Sequence, residues 1–218
     1  MLFKHQGMRI IGNEELSSME RFYRANLVNG ISGYKSVALI ATCNQQGLSN
    51  LAIFSSIVHL SADPALIGFI QRPVGQSGDT YRNIIATGHY SINLVPKSII
   101  EKAHYTSAKF SPEISEFDSC KLTEQWTEDF PAPFVEECPV KIGLQFEEEV
   151  LIRQNNTRLM IGSVKKILLP ENSLGPDGNI DLTSCAIVAV SGLENYHLPQ
   201  PLASFPYARV SQLPPFTE

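Results

Sequence analysis

The chain has 218 residues, 43% of them hydrophobic and 18% charged, with a net charge of −5. That length suits a single domain with a proper core, and the composition is that of a globular rather than a disordered or fibrous protein. No basic run exceeds Lys165-Lys166, so nucleic acid and anionic membrane surfaces are excluded as partners.

The opening MLFKHQGMRIIGNEEL lacks the apolar core of a signal peptide, and no segment approaches the roughly 20 apolar residues of a membrane span. A cytoplasmic location is expected. Cys43, Cys120, Cys138 and Cys185 show neither metal-site nor redox-pair spacing and read as structural. The Asn155-Asn156-Thr157 sequon is then idle.

In chain order, Glu14 to Asn29 reads as a helix, with apolar side chains at Leu16, Met19, Phe22, Tyr23 and Leu27. Ser36 to Cys43 is a β-type run. A turn at Asn44 to Gly47 leads into an expected strand from Leu51 to Leu60, and the two pair as a hairpin. Ala62-Asp63-Pro64 turns the chain into the buried run Ala65 to Gln71. Asp79 to Ala86 is a short helix with Asp79 as its expected N-cap and Gly88 at its C-terminal stop.

His89 to Val95 is again a strand, Lys97 to Ala108 reads as helical, and Phe110 to Pro139 has no sustained period. The clearest alternation runs from Val140 to Ile152. Asn155-Asn156 turns it into a strand from Arg158 to Leu169, and Ser184 to Ser191 is the last strand expected. The tail after Gly192 carries five prolines and little periodicity. About seven strands in hairpin-like succession, with two short helices near the middle, read as a mainly β, α+β, antiparallel, barrel-like fold.

The chemistry concentrates between Asn50 and Val95, where Asn50, Ser55, Ser56, Arg72, Thr80 and Asn83 are strung through strands and a helix start. A helix N-terminus offers free amides and a positive dipole end to a phosphate. Thr80 adds a hydroxyl, Asn83 follows one turn on, and Arg72 supplies a guanidinium clamp. The charge of Asp79 opposes this unless its side chain points away. The alternative is a plain capped surface helix with a solvated Arg72. Ser55 and Ser56 fall on opposite faces of the expected strand, and a buried hydroxyl there needs either a backbone partner or a ligand. No dinucleotide or Walker fingerprint is present, so a mononucleotide is the cofactor class expected.

His59, His89, His104 and His197 lie far apart, and HExxH and GxSxG motifs are missing. No metal site and no catalytic nucleophile is assigned. Glu147-Glu148-Glu149 reads as a solvated strand edge.

Taken in order, these pieces resemble the flavin reductase-like family of FMN-binding split-barrel proteins, from about Arg21 to Tyr207. The matching pieces are Ser36 to Thr42, Gly47 to Ser56, Asp63-Pro64, Arg72, Asp79 to Ile84 and Thr87 to Asn93. Ser115 to Phe117, Glu137 to Val140, Ile161 to Val164 and Gly192 to Tyr196 follow.

The resemblance implies a six-stranded antiparallel split barrel with short flanking helices, usually a homodimer with the flavin near the interface. It places Arg72, Thr80 and Asn83 at the phosphate and Asn50, Ser55 and Ser56 nearer the flavin ring. FMN is the cofactor implied, with FAD or an exchangeable flavin as variants, NAD(P)H as the donor, and a small-molecule or protein electron acceptor.

One departure concerns the donor. Many flavin reductases of this family carry a histidine before the Gly-x-Val motif, where this chain reads Asn156 to Gly162 without one. An FMN-binding electron carrier without nicotinamide activity, and a barrel that has lost its flavin, are the other functions carried forward. The Pro-rich tail, with Tyr196, Phe205 and Tyr207, packs either on a partner subunit or over its own barrel.

Overall fold

Strict alternation builds the spine of the fold. In the computed structural model, which describes residues 7–75 and 78–215, Val140–Ile152 is a single strand. Residues 1–6, part of the opening read for a signal peptide, and 216–218 of the tail lie outside that set. The helices are α1 (Asn13–Ser18), α2 (Arg21–Ile31), α3 (Asp79–Thr87), α4 (Ile100–Tyr105) and α5 (Glu116–Cys120). The first six strands are β1 (Lys35–Ser36), β2 (Ala38–Cys43), β3 (Ser49–Phe54), β4 (Ile57–Ala62), β5 (Ala65–Gln71) and β6 (His89–Leu94). The remaining six are β7 (Glu124–Thr127), β8 (Phe130–Val135), β9 (Val140–Ile152), β10 (Thr157–Leu168), β11 (Ala189–Ser191) and β12 (Asn195–His197).

Seven strands form one antiparallel sheet in the order β3-β2-β6-β9-β10-β5-β4, one more than the six expected. Its two edge strands, β3 and β4, are consecutive in the chain and separated only by Ser55 and Ser56. The sheet must therefore coil until its edges meet at one corner. Phe54 of β3 packs edge-to-face on Phe69 of β5 at 5.1 Å, across the gap that the hydrogen-bond ladder leaves open. Phe69 in turn meets Tyr90 at 5.6 Å. That open seam is the split of the barrel.

Alternation also sorts the core. β2 is buried along its whole length, with Ala38 and Ile40 facing the barrel interior beside Phe69, Tyr90, Leu144 and Met160. Val37, Leu39 and Ala41 face outward onto Val95, Ala103 and Phe117 under α4 and α5. Each large apolar side chain buried in this way contributes about 1.5–3 kcal/mol. Gly162 is required where β10 crosses Tyr90, since any Cβ would collide with the tyrosine Oη.

Several expected elements are corrected. The helix over 14–29 breaks at Met19-Glu20 into α1 and α2, because the Glu20 carboxylate caps a new start by accepting from the Phe22 and Tyr23 amides. Neither helix buries a residue, and Phe22 is 69% exposed. The strand over 51–60 is two strands, interrupted at Ser55 and Ser56 where the chain crosses the split. Helix 97–108 contracts to a 3₁₀ turn at 97–99 and α4. Strand 184–191 keeps only Ala189–Ser191, and the tail contributes β12, paired with β11. Glu147 to Glu149 lie on an interior strand of the sheet rather than at an edge.

Among the described residues no helix is long and apolar enough to cross a membrane. Cys43, Cys120 and Cys138 are buried, and all four cysteines are unpaired.

Candidate functional site

The interruption at Ser55-Ser56 opens one wall of a cleft of about 1380 Å³. Asn50, Ser55 and Ser56 line it from the β3–β4 side, Arg72 from the end of β5, and Thr80 from the first turn of α3. Five of the six expected residues are therefore brought together. Ser55 is half-buried and Ser56 exposed, and neither hydroxyl is bonded to the protein among the described residues. They do not alternate across a strand as expected, because the strand ends at Phe54.

Asn83 is the exception. Its side-chain amide donates to Thr42 Oγ1 at 3.0 Å, in a buried bond that ties α3 to β2. It lines a separate pocket of about 30 Å³, shared with Asn50 and Asp79. The helical spacing is as expected, yet β2 claims the side chain first.

Thr80 is nearly buried, and its Oγ1 accepts from Asn50 Nδ2 at 3.1 Å. The hydroxyl hydrogen is left to donate to something else. The helix is capped at Gly78 and not at Asp79, and no side chain among the described residues caps its N-terminal amides. Asp79 turns instead to Arg82, whose Nη2 lies 2.6 Å from Asp79 Oδ1. That pair answers the repulsion which the Asp79 carboxylate posed for an anion. Arg72 is exposed, and its guanidinium makes no hydrogen bond or ion pair with the described residues. An uncommitted guanidinium, a hydroxyl donor and a helix N-terminus lining one cleft suit a phosphate.

Two residues of this region have no site role assigned from the sequence, although Glu116 lies in the matching piece Ser115 to Phe117. Glu116 lines both pockets and accepts the Leu51 amide at 2.8 Å. Burial holds its carboxyl above the ordinary range, partly offset by that hydrogen bond. Gln71, on the cleft wall, donates from Nε2 to the Arg72 carbonyl at 3.1 Å, while its buried Oε1 has no partner. A single amide in an apolar strand end carries no local signal.

The histidine-free stretch also acquires a geometry. Thr157 and Leu159 face the cleft, whereas Arg158 is bound to Glu149 at 3.2 Å and lies over the Tyr81 ring at 5.2 Å. No group of three or more potential metal ligands occurs among the described residues. Burial raises the thiol pKa values of Cys43, Cys120 and Cys138, which leaves them poor nucleophiles.

Comparisons with known proteins identify the family and the fold. Residues 32–184 match the family model described as flavin reductase like domain. A crystal structure from Shewanella frigidimarina, described provisionally as a flavin reductase with split barrel domain, is 40% identical. It superposes with a TM-score of 0.89 over 93% of this chain and 100% of that one. Nitrilotriacetate monooxygenase component B from Bacillus cereus shares the fold at 22% identity and a TM-score of 0.81, over 92% of this chain and 100% of that one. Flavoredoxin of Desulfovibrio vulgaris shares it at 18% and 0.70, over 95% and 98%.

Proposed function

The chain belongs to the flavin reductase-like family, and we propose that it is an FMN-dependent oxidoreductase of the cytoplasm. In this reading it takes electrons from NADH or NADPH and passes them to a flavin or to another small-molecule or protein acceptor. One observation carries the reading. Arg72, Thr80 and the first turn of α3 line the same cleft as Asn50, Ser55 and Ser56, and no side chain among the described residues takes up their anion-binding capacity.

The residues present fit such a group. Arg72 and Thr80 would hold the phosphate, with the dipole of α3 behind them. Asn50 orients Thr80, and Ser55 and Ser56 supply hydroxyls along the wall toward the ring. A flavin held there would supply the electron-transfer chemistry. The protein's own part is to bind, orient and exclude water, so no side chain is assigned as a nucleophile. Asn83 supports the site through Thr42.

We further propose a homodimer with the flavin near its interface. α2 buries none of its residues, and Phe205 and Tyr207 of the tail are each 85% exposed. Apolar surface of that kind calls for a covering partner.

A second reading, an FMN-binding electron carrier that ignores pyridine nucleotides, has one observation in its favour. Arg158, the residue best placed in sequence to stand in for the family's histidine, is committed to Glu149 and Tyr81. The deciding experiment adds NADH and NADPH anaerobically to FMN-saturated protein. Bleaching of the visible flavin band is expected. A flavin that stays oxidised with both, yet is reduced by a partner protein, establishes the carrier.

A further inference from the structure

The cleft is larger than one cofactor requires. Ligand sites typically occupy about 300–1,000 Å³, and this cleft encloses about 1380 Å³. Besides Arg72 and Thr80 it is lined by other polar side chains, among them His104, Lys109, Lys35 and Tyr196. His104 stands on α4 and Tyr196 on β12, 92 residues later, and His104 Nδ1 is hydrogen-bonded to the tyrosine hydroxyl at 2.9 Å. The rings meet edge-to-face at 5.9 Å. This bond uses one ring nitrogen and leaves Nε2 without a partner among the described residues.

The pair is built rather than incidental. Tyr196 is half-buried, and burial, helped by Glu194, holds its phenol above the ordinary range, so it stays a neutral hydroxyl. β12 is fastened on its other side by the bond of 2.8 Å between Ser191 Oγ and His197 Nε2. Three basic side chains, His104, Lys109 and Lys35, line the cleft along with the exposed carboxylate of Glu194. Lys109 is exposed and unpaired among the described residues, whereas Lys35 is already tied to the Asn29 carbonyl and Ser32. The balance suits an anionic ligand.

We propose that these side chains form a second subsite of the cleft, in which His104 Nε2 and Lys109 bind a phosphate of the reduced pyridine nucleotide and Tyr196 positions the imidazole. The assignment rests on the NAD(P)H part of the function proposed above. It also supplies a histidine to a nucleotide site from α4, in a chain that lacks one before Gly162.

The test uses the FMN-loaded full chain and its equilibrium binding of NAD⁺ and NADP⁺, which occupy a donor site without reducing the flavin. His104→Ala is expected to weaken nucleotide binding by about tenfold or more, the usual effect of losing a charge-assisted hydrogen bond. Lys109→Ala weakens it several-fold, His104→Gln recovers part of the loss, and Tyr196→Phe raises KM for NAD(P)H while kcat is held. FMN affinity stays unchanged in all four.

A histidine that merely pins β12 to α4 would lower the melting temperature and move neither nucleotide affinity nor KM, which overturns the proposal and leaves the donor reading standing. Loss of FMN affinity in His104→Ala also overturns it, since the residue would then belong to the flavin site. A parent protein that binds neither nucleotide nor bleaches with NAD(P)H overturns the proposal together with the donor reading.

Discussion

Asn50 and Thr80 share a hydrogen bond of 3.1 Å, with the asparagine amide donating to the threonine oxygen across 30 residues of chain. It joins the inner end of β3 to the first turn of α3. Because the threonine serves as acceptor, its own hydrogen is free for an anion in the cleft.

The first prediction concerns that hydrogen and the uncommitted guanidinium beside it. Arg72→Ala combined with Thr80→Ala weakens FMN binding by more than about tenfold, since each charge-assisted contact is worth on the order of 1.5–3 kcal/mol. Fluorescence titration of apoprotein measures it. An unchanged dissociation constant places the phosphate elsewhere.

Asn83 behaves differently, because Thr42 already holds its amide. Asn83→Ala is expected to lower stability by about 1–3 kcal/mol, as a buried hydroxyl loses its partner. FMN affinity changes less than in Arg72→Ala. Denaturant melts and FMN titrations on both variants separate the roles, and the reverse ranking would make Asn83 a direct ligand.

At the crossing of β10 over Tyr90, a Cβ on residue 162 would collide with the tyrosine Oη and lie 3.0 Å from its Cζ and 3.1 Å from the Gln145 carbonyl oxygen. Gly162→Ala therefore destabilises by about 1–3 kcal/mol, the usual cost of overpacking. The Tyr90 hydroxyl is buried without a partner among the described residues, so Tyr90→Phe alone is neutral or stabilising and recovers part of the loss in the double variant. Additive losses on thermal denaturation would count against this packing.

Glu116 gives a pH signature. Burial raises its carboxyl above the ordinary 4.5, and the charge of Asp79 adds to the rise, against the opposing effect of the Leu51 amide. The folded state thus keeps the proton to higher pH than the unfolded chain. Its stabilising contribution is complete below 4.5 and is lost as pH rises through the folded value. Glu116→Gln keeps an acceptor for Leu51 and cannot ionise. It should match the parent in acid and become progressively more stable than it toward neutrality. Parallel melting-temperature curves would contradict this.

The last prediction is the oligomeric state. The full chain is expected to sediment as a dimer, and a chain ending after His197 keeps β12 but loses the exposed tail. A shift of that shorter chain toward monomer assigns the tail to the interface. A monomeric parent removes the dimer altogether.

How much of this was legible follows from the range of each interaction. The strand at Val140–Ile152, the run Ala65–Gln71, and α3 with its glycine stop at Gly88 match the expected boundaries within a residue or so, because alternation and cap chemistry are local. The order of Arg72, Thr80 and the serines around them raises the expectation of an anionic cofactor. Local signals misled wherever a distant strand intervened. Ser55 and Ser56 read as mid-strand hydroxyls until the split of the barrel fell on them, and the bond from Asn83 to Thr42 of β2 carries no signal in the sequence.

By itself, then, the sequence determined the antiparallel β architecture, the family and the set of residues from which a flavin site could be assembled. Periodicity, turn chemistry and motif order are written along the chain. Only the tertiary structure decided which of those side chains are still free. Arg72 is uncommitted among the described residues, Asp79 is answered by Arg82, Arg158 is held by Glu149, and His104 meets Tyr196 on the lining of the same cleft. The availability of a polar group depends on the partner that reaches it first, and folding brings those partners from tens of residues away.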